Sequence, residues 1–279
     1  MMMGLCIRTE NWPHPLRDLN YNVELIEPTF TNSKGETVNP DLILTTKKYN
    51  HAIIFECKCK TIESNQMSKY SNILPSDLIE KGKANVPDPK NFSADICIAS
   101  FEKGIKENSE IIKYKFPVIL CEEGKIDKHN SNFNCIRLNQ IFPVNLNKEH
   151  RPPVSFYPFS HEKEDERMFI SYVLRTLVSR NLAGKHENTV EEILKDAHPY
   201  WKNIDQHHKK IFLRTAECIL SDFSKGELKG ILDKIREDKN VKYKINPLTT
   251  NSLKDKCEKI IERMSKEGNL KPYFPQTAS

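Results

Sequence analysis

The strongest constraint on how this chain can fold is a pair of apolar runs separated by four polar residues. "DLILTT" occupies 41–46, "HAIIFECKCK" occupies 51–60, and "KKYN" lies between them. Both runs have the composition of buried strands, and the intervening residues suit a turn. With the turn centred between Lys48 and Tyr49, opposed residues have numbers that sum to 97: Leu42 faces Phe55, Ile43 faces Ile54 and Leu44 faces Ile53. Apolar residue meets apolar residue throughout. "YNVELIEPTF", followed by the polar "NSKGE", adds an earlier strand, so residues 21–60 read as a three-strand meander.

The same register has a chemical consequence at its open end. Asp41 falls opposite Glu56, with Cβ atoms about 5 Å apart. Two carboxylates that close repel each other unless they share a proton or a cation. Lys58 is two residues beyond Glu56 and projects from the same face of the strand. Hard carboxylate oxygens with open positions favour Mg²⁺ or Mn²⁺ over zinc. Asp41 and Glu56 are then the candidate ligands, the Cys57 carbonyl a further oxygen, and Lys58 the electrostatic partner. This is the residue set of metal-assisted phosphodiester hydrolysis. The plainer alternative is a charged strand edge guarded by Lys58 and Lys60.

"PD" at 40–41 followed by "ECK" at 56–58 resembles the PD-(D/E)xK nuclease pattern, through Pro40, Asp41, Glu56 and Lys58. "QMSKY" then places Gln66 and Tyr70 one helical turn apart, similar to the QxxxY motif of the RecB-like and lambda-exonuclease-like branch. The resemblance spans roughly residues 20–125. It implies a restriction-endonuclease-like core, a mixed central sheet flanked by helices, acting on DNA with Mg²⁺. It implies that Gln66 and Tyr70 support the metal site and contact the nucleic-acid backbone. Lys60 and Lys69 are, by their charge, candidate phosphate contacts, the plainer reading being lysines that touch only water. The resemblance also implies an extra acid or histidine on a helix ahead of the first strand, for which Glu10, His14, Glu24 and Glu27 are the candidates. Cluster-bearing members of the branch have clustered downstream cysteines. Cys218 and Cys257 are isolated here, so no iron–sulfur cluster is expected.

The remaining chain is expected to form α/β structure over 1–150 and a mainly α-helical domain over 151–279, serving target, partner or homodimer contacts. After the meander come a helical stretch interrupted by Pro75, the strands "ADICIAS" and "FPVILCE", and a charged helical segment between them. Prolines 143, 152, 153 and 158 mark a linker. Further on, "EDERMFISYVLRTLVSR" has helical spacing, Thr189 with Glu192 forms a capping box, and Ser224 with Glu227 repeats it. A last helix is expected to end at Gly268.

Other features read as ordinary structure. The net charge of +5 is too small to demonstrate a polyanion partner. Eight cysteines without a CxxC pair suggest reduced thiols in a cytoplasmic protein, with no zinc site, and strand alternation assigns Cys57 and Cys59 to the core. No apolar stretch approaches the eighteen or so residues of a membrane span, so no membrane partner is expected. His207 and His208, beside Asp205, are adjacent and cannot chelate as an i, i+4 pair would, so they read as helix surface. Trp201 and Tyr200 read as core caps. "EDK" at 237–239 reads as a solvated helical face.

Overall fold

The computed structural model describes residues 2–6, 12–58, 63–150, 163–198, 200–237 and 240–266. The chain divides into two compact units. The first comprises residues 1–154 with Asn203–Asp205, and the second 155–202 with 206–279.

In the first unit, α1 (Pro15–Asp18) precedes β1 (Asn22–Ile26), a small hairpin of β2 (Phe30–Thr31) and β3 (Thr37–Val38), then β4 (Leu42–Thr46) and β5 (His51–Lys58). α2 (Ser64–Ser71) and α3 (Pro75–Glu80) lead to β6 (Ser93–Ser100). They are followed by α4 (Ser109–Tyr114), β7 (Pro117–Glu122), β8 (Lys125–Asn130), α5 (Ile136–Gln140) and β9 (Val144–Asn145). Seven strands form one mixed sheet in the order β1-β4-β5-β6-β7-β8-β9. β4 and β5 pair antiparallel in the register the sequence specifies, Leu42 with Phe55, Ile43 with Ile54 and Leu44 with Ile53. β5 pairs parallel with β6, and β6 with β7. β5 therefore has neighbours on both sides from His51 to Phe55, while Glu56, Cys57 and Lys58 pair with β6 alone.

Burial explains why these runs become strands. All five residues of β4 and the first six of β5 are buried. Ile43, Ile54, Ile98, Val118 and Leu120 pack against Met67, Tyr70, Leu78 and Ile111 of the helices. Each such aliphatic side chain contributes about 1.5–3 kcal/mol relative to exposure. Asn50 takes a left-handed φ of 49° to close the β4–β5 turn, a conformation asparagine tolerates. Pro75 starts α3 where its missing N–H costs nothing, and Asp77 accepts from the Leu74 N–H at 2.9 Å. β8 and β9 were not expected. "KIDKHN" buries only Ile126, so no alternation announces it, and the proline-dense stretch contains β9 immediately after Pro143. Prolines 152, 153 and 158 lie outside the described residues.

The second unit contains α6 (Lys163–Leu182), β10 (Glu187–Thr189), α7 (Val190–Ala197), α8 (Gln206–Lys225), β11 (Leu232–Glu237), β12 (Asn240–Ile245) and α9 (Thr250–Lys266). The Thr189/Glu192 capping box forms, with both reciprocal bonds made. Arg180 is 7% exposed and is held by Asn188 and Asp196. His207 and His208 lie in the first turn of α8, and Trp201 is buried.

Beside the four helices, this unit carries a three-stranded antiparallel sheet, β10-β12-β11, that the mainly helical expectation did not include. "SKGELKGILDKI" does not begin a helix. Ser224 lies in the last turn of α8, where its hydroxyl donates to the Ser221 carbonyl, and the Glu227 carboxylate accepts from Arg263 at 2.6 Å. Ile231, Leu232 and Ile235 suit helical spacing as well as a strand. The partner strand decides, because β12 buries Tyr243 and Ile245 at period two and pairs with β11 along its length. Glu237 consequently ends a strand, while Asp238 and Lys239 lie outside the described residues, as does Gly268. No helix among the described residues is long and apolar enough to cross a membrane.

Candidate active site

The candidate site lies where β4 begins and β5 ends. The ladder between them stops at Leu42 and Phe55, and Asp41 leaves it in a bend. Its N–H still donates to the Phe55 carbonyl at 3.1 Å, while its own carbonyl accepts from the Glu27 N–H at 2.9 Å. The N–H of Cys57 is therefore met by the Asp41 carboxylate, Oδ2, at 2.5 Å. This bond turns the Asp41 side chain toward β5 one residue beyond Glu56.

Glu56 is 4% exposed, and both of its oxygens are engaged. Oε1 accepts from Lys58 Nζ at 2.8 Å and from Gln66 Nε2 at 2.8 Å. Oε2 accepts from the Tyr70 hydroxyl at 2.6 Å, a length typical of a charge-assisted bond. Tyr70 Oη also lies 2.9 Å from the Asn39 carbonyl and receives Gln66 Nε2 at 3.2 Å. A carboxylate this deep requires such donors, because an unpaired buried charge costs several kcal/mol. α2 supplies two of them from one face, with Met67 and Tyr70 anchoring it in the core. The β2–β3 loop holds the far end of α2: Asn32 Nδ2 donates to the Lys69 carbonyl at 2.9 Å and Ser33 Oγ to the Asn72 carbonyl at 2.8 Å.

The electrostatics are those of crowded acids. Burial, then the neighbouring Glu56 charge, pushes Asp41 up to about 6, against the pull of the Cys57 N–H and Lys58. Burial and then Asp41 push Glu27 up to about 7. Burial and then Glu56 raise the Tyr70 hydroxyl well above its ordinary value. Of the three early candidates among the described residues, Glu27 is the one beside Asp41. It does not come from a helix, but follows β1 with a left-handed φ of 47°. For a non-glycine residue that conformation costs on the order of 1 kcal/mol. Glu24 instead accepts from Thr45 and Asn85, His14 faces Asp18, and Glu10 lies outside the described residues.

Asp41, Glu56, Lys58, Gln66 and Tyr70 are thus brought together. Lys69 is half-buried on α2 and is not among the residues that touch Glu56, and Lys60 and Cys59 lie outside the described residues. The assignment of Cys57 to the core is corrected: its side chain is exposed, because past Phe55 the strand has lost its β4 neighbour. Among the described residues no group of three or more His, Cys, Asp or Glu gathers into a ready cation cage. Two carboxylates are nevertheless the number with which Mg²⁺ is commonly held, water and substrate oxygens completing its shell. The donors are hard, and a buried acid raised by its neighbour's charge is one that a divalent cation would relieve. The residues present therefore fit Mg²⁺ or Mn²⁺.

A family model for the MJECL32 domain matches residues 1–157, and one for a domain of unknown function, DUF8601, matches residues 162–271. The uncharacterised protein MJECL32 of Methanocaldococcus jannaschii is 25% identical over 270 residues, which cover 89% of this chain and 58% of the relative. The chain thus spans under two thirds of that relative's length. No solved structure matches it. The MJECL32 match covers more than half of the residues, and the chain belongs to the MJECL32 domain family.

Proposed function

We propose that the first unit is a metal-dependent nuclease of the PD-(D/E)xK type that hydrolyses phosphodiester bonds in DNA. The observation that carries this reading is the grip on Glu56: Lys58, Gln66 and Tyr70 all bond its carboxylate, and Asp41 stands beside it. A salt bridge kept only for stability has no need of a second acid crowded against it. The mixed sheet flanked by helices supports a restriction-endonuclease-like core.

Asp41, Glu56 and the Cys57 carbonyl would hold Mg²⁺ or Mn²⁺. When bound, such an ion neutralises phosphate charge and makes a water more acidic. Lys58, fixed against Glu56, presents its ammonium where it orients the attacking water or offsets charge growing on the phosphate oxygens. Water oxygen bonds to phosphorus as the bond to the leaving oxygen breaks; the water's proton goes to solvent, and the leaving oxygen takes one up. Gln66 and Tyr70 are positioning residues that lock the Glu56 rotamer. In this reading the second unit makes target, partner or dimer contacts, and the activity suits prokaryotic restriction, defence or repair.

The test is incubation of plasmid, linear duplex and single-stranded DNA with Mg²⁺, Mn²⁺ or EDTA, comparing wild type with Lys58→Ala. Cleavage that requires the ion and disappears in the variant is the expected result. Retention of DNA without cleavage in any metal would overturn it in favour of a catalytically silent binding protein on the same scaffold.

A further inference from the structure

Within the second unit, α8 differs from α7 and α9 in what it shows to water. Its exposed residues are Gln206, His207, Lys210, Arg214, Cys218 and Lys225, and no acid is among them. Phe212, Ala216, Ile219, Leu220 and Phe223 are buried, so the exposed positions share the opposite face of the helix. Lys210 and Arg214 are one turn apart, and Lys225 lies about 22 Å along the axis from Lys210. α7 and α9 mix their charges instead. Lys195 pairs with Glu191 at 3.0 Å, and the exposed Asp255, Glu258 and Glu262 are interleaved with the lysines of α9.

Two unfavourable arrangements stand on this face. A helix N-terminus favours carboxylates, yet the first turn of α8 has no acid, and Lys209 and Lys210 follow directly on Gln206, His207 and His208. Asp205, immediately before the helix, is a single acid against these cations. Like charges at i, i+4, as in Lys210 and Arg214, destabilise a helix. Neither side chain has an ion pair among the described residues. Glu217, three residues on from Arg214, is engaged by Lys234 Nζ at 3.0 Å instead. An anion lying along the face would relieve both arrangements.

A protein partner or a membrane surface would draw on apolar contacts as well as charge. The exposed positions of α8 hold no aliphatic, Phe, Tyr or Trp side chain, because its apolar side is turned to the core. A phosphodiester backbone needs only the cations, and a duplex presents one charge per about 1.7 Å of its axis. We infer that the α8 face carrying Lys210, Arg214 and Lys225 docks the phosphate backbone of duplex DNA without regard to sequence, an inference that rests on the nuclease reading for its choice of DNA among polyanions. The second unit then holds the target.

The experiment measures binding of a fluorescein-labelled DNA duplex to the full chain in EDTA, which separates binding from cleavage, across about 50 to 200 mM salt. Lys210→Gln/Arg214→Gln is expected to weaken binding about tenfold and to lower the slope of log K against log salt by about 2, and Lys225→Gln to lower it by about 1. Lys210→Arg/Arg214→Lys is expected to keep affinity and slope, since the charge makes the contact. Lys254→Gln/Lys259→Gln removes as much charge from the mixed face of α9 and is expected to leave the slope near that of wild type. A duplex of scrambled sequence is expected to bind alike. No duplex binding by the wild type, an unchanged slope in Lys210→Gln/Arg214→Gln, or an equal loss in the α9 variant overturns the inference. Tighter binding to phosphatidylserine vesicles, with the same dependence on Lys210 and Arg214, overturns it in favour of a membrane surface. Lys58→Ala cleavage reports on the nuclease reading separately. Cleavage that needs Lys58 while affinity ignores Lys210 and Arg214 sinks only the α8 face, and binding that needs them without cleavage in any metal sinks only the nuclease.

Discussion

β5 buries a polar, titratable side chain near each of its ends, and the two surroundings differ. At the start, His51 is 1% exposed, and Nε2 donates to Asp95 Oδ2 at 2.9 Å. Tyr21 Oη meets Nδ1 at 2.8 Å, and Asp95 also accepts the backbone and side-chain N–H groups of Asn134, both at 2.8 Å. Tyr21, His51 and Asp95 are all buried, and β4 and β6 flank His51 on both sides. At the other end Glu56 is buried as deeply but adjoins the exposed Cys57, the half-buried Lys58 and a second acid. A closed network ties strands together; an open one of similar size leaves an acid and an amine held ready at a surface. The ladder accounts for the difference, since β4 stops at Leu42 and leaves the end of β5 with a neighbour on one side only.

The comparison breaks if the two ends respond alike to substitution. The largest effect is expected at the open end: Lys58→Ala or Asp41→Asn should lower metal-dependent cleavage per folded molecule on the order of 1,000-fold. EDTA should silence the wild type equally. At the closed end, His51→Ala should lower stability in urea by about 3 kcal/mol, because Asp95 stays buried with a donor missing. Cleavage per folded molecule should barely change. A rate collapse in His51→Ala with stability intact would reverse the assignment of the two ends.

Tyr70→Phe sharpens the contrast, because it removes one charge-assisted bond to Glu56 and keeps the ring. About a tenfold fall in kcat with little change in KM is expected of a positioning residue, read from steady-state kinetics.

The smallest effect concerns another buried histidine, His198 of the second unit. Burial pushes it down to about 3, and its Nδ1 accepts from the Tyr200 N–H at 3.0 Å. The unfolded chain takes up this proton below about pH 6.5, whereas the folded one refuses it until near pH 3. The stabilisation is therefore full above pH 6.5 and is lost as pH falls toward 3. Between pH 7 and 5.5 the loss should be about 1 kcal/mol, and His198→Gln should flatten it in urea titrations at each pH.

Several parts of this molecule were legible in the one-dimensional order of residues. Leu42, Ile43 and Leu44 could match Phe55, Ile54 and Ile53 in one register only, since a slip of one residue would turn every side chain to the other face. Thr189 and Glu192 announced their helix start because a capping box is local. Gln66 and Tyr70 could be put on one helical face, although their common target, Glu56, was not readable. β8 escaped because its pattern is polar, and β11 because Ile231, Leu232 and Ile235 fit two periodicities at once. The Tyr21–His51–Asp95 network left no signal, as its members are tens of residues apart and none belongs to a motif.

What the amino-acid order determined by itself was strand register, local caps and the chemical types gathered near positions 41, 56 and 58. All of these depend on interactions across a few residues or on a period-two match. Tertiary structure alone decided that Glu27 rather than His14 or Glu24 crowds Asp41, and that Cys57 faces water. Those outcomes depend on where β4 stops, and such contacts exist only once distant segments have packed.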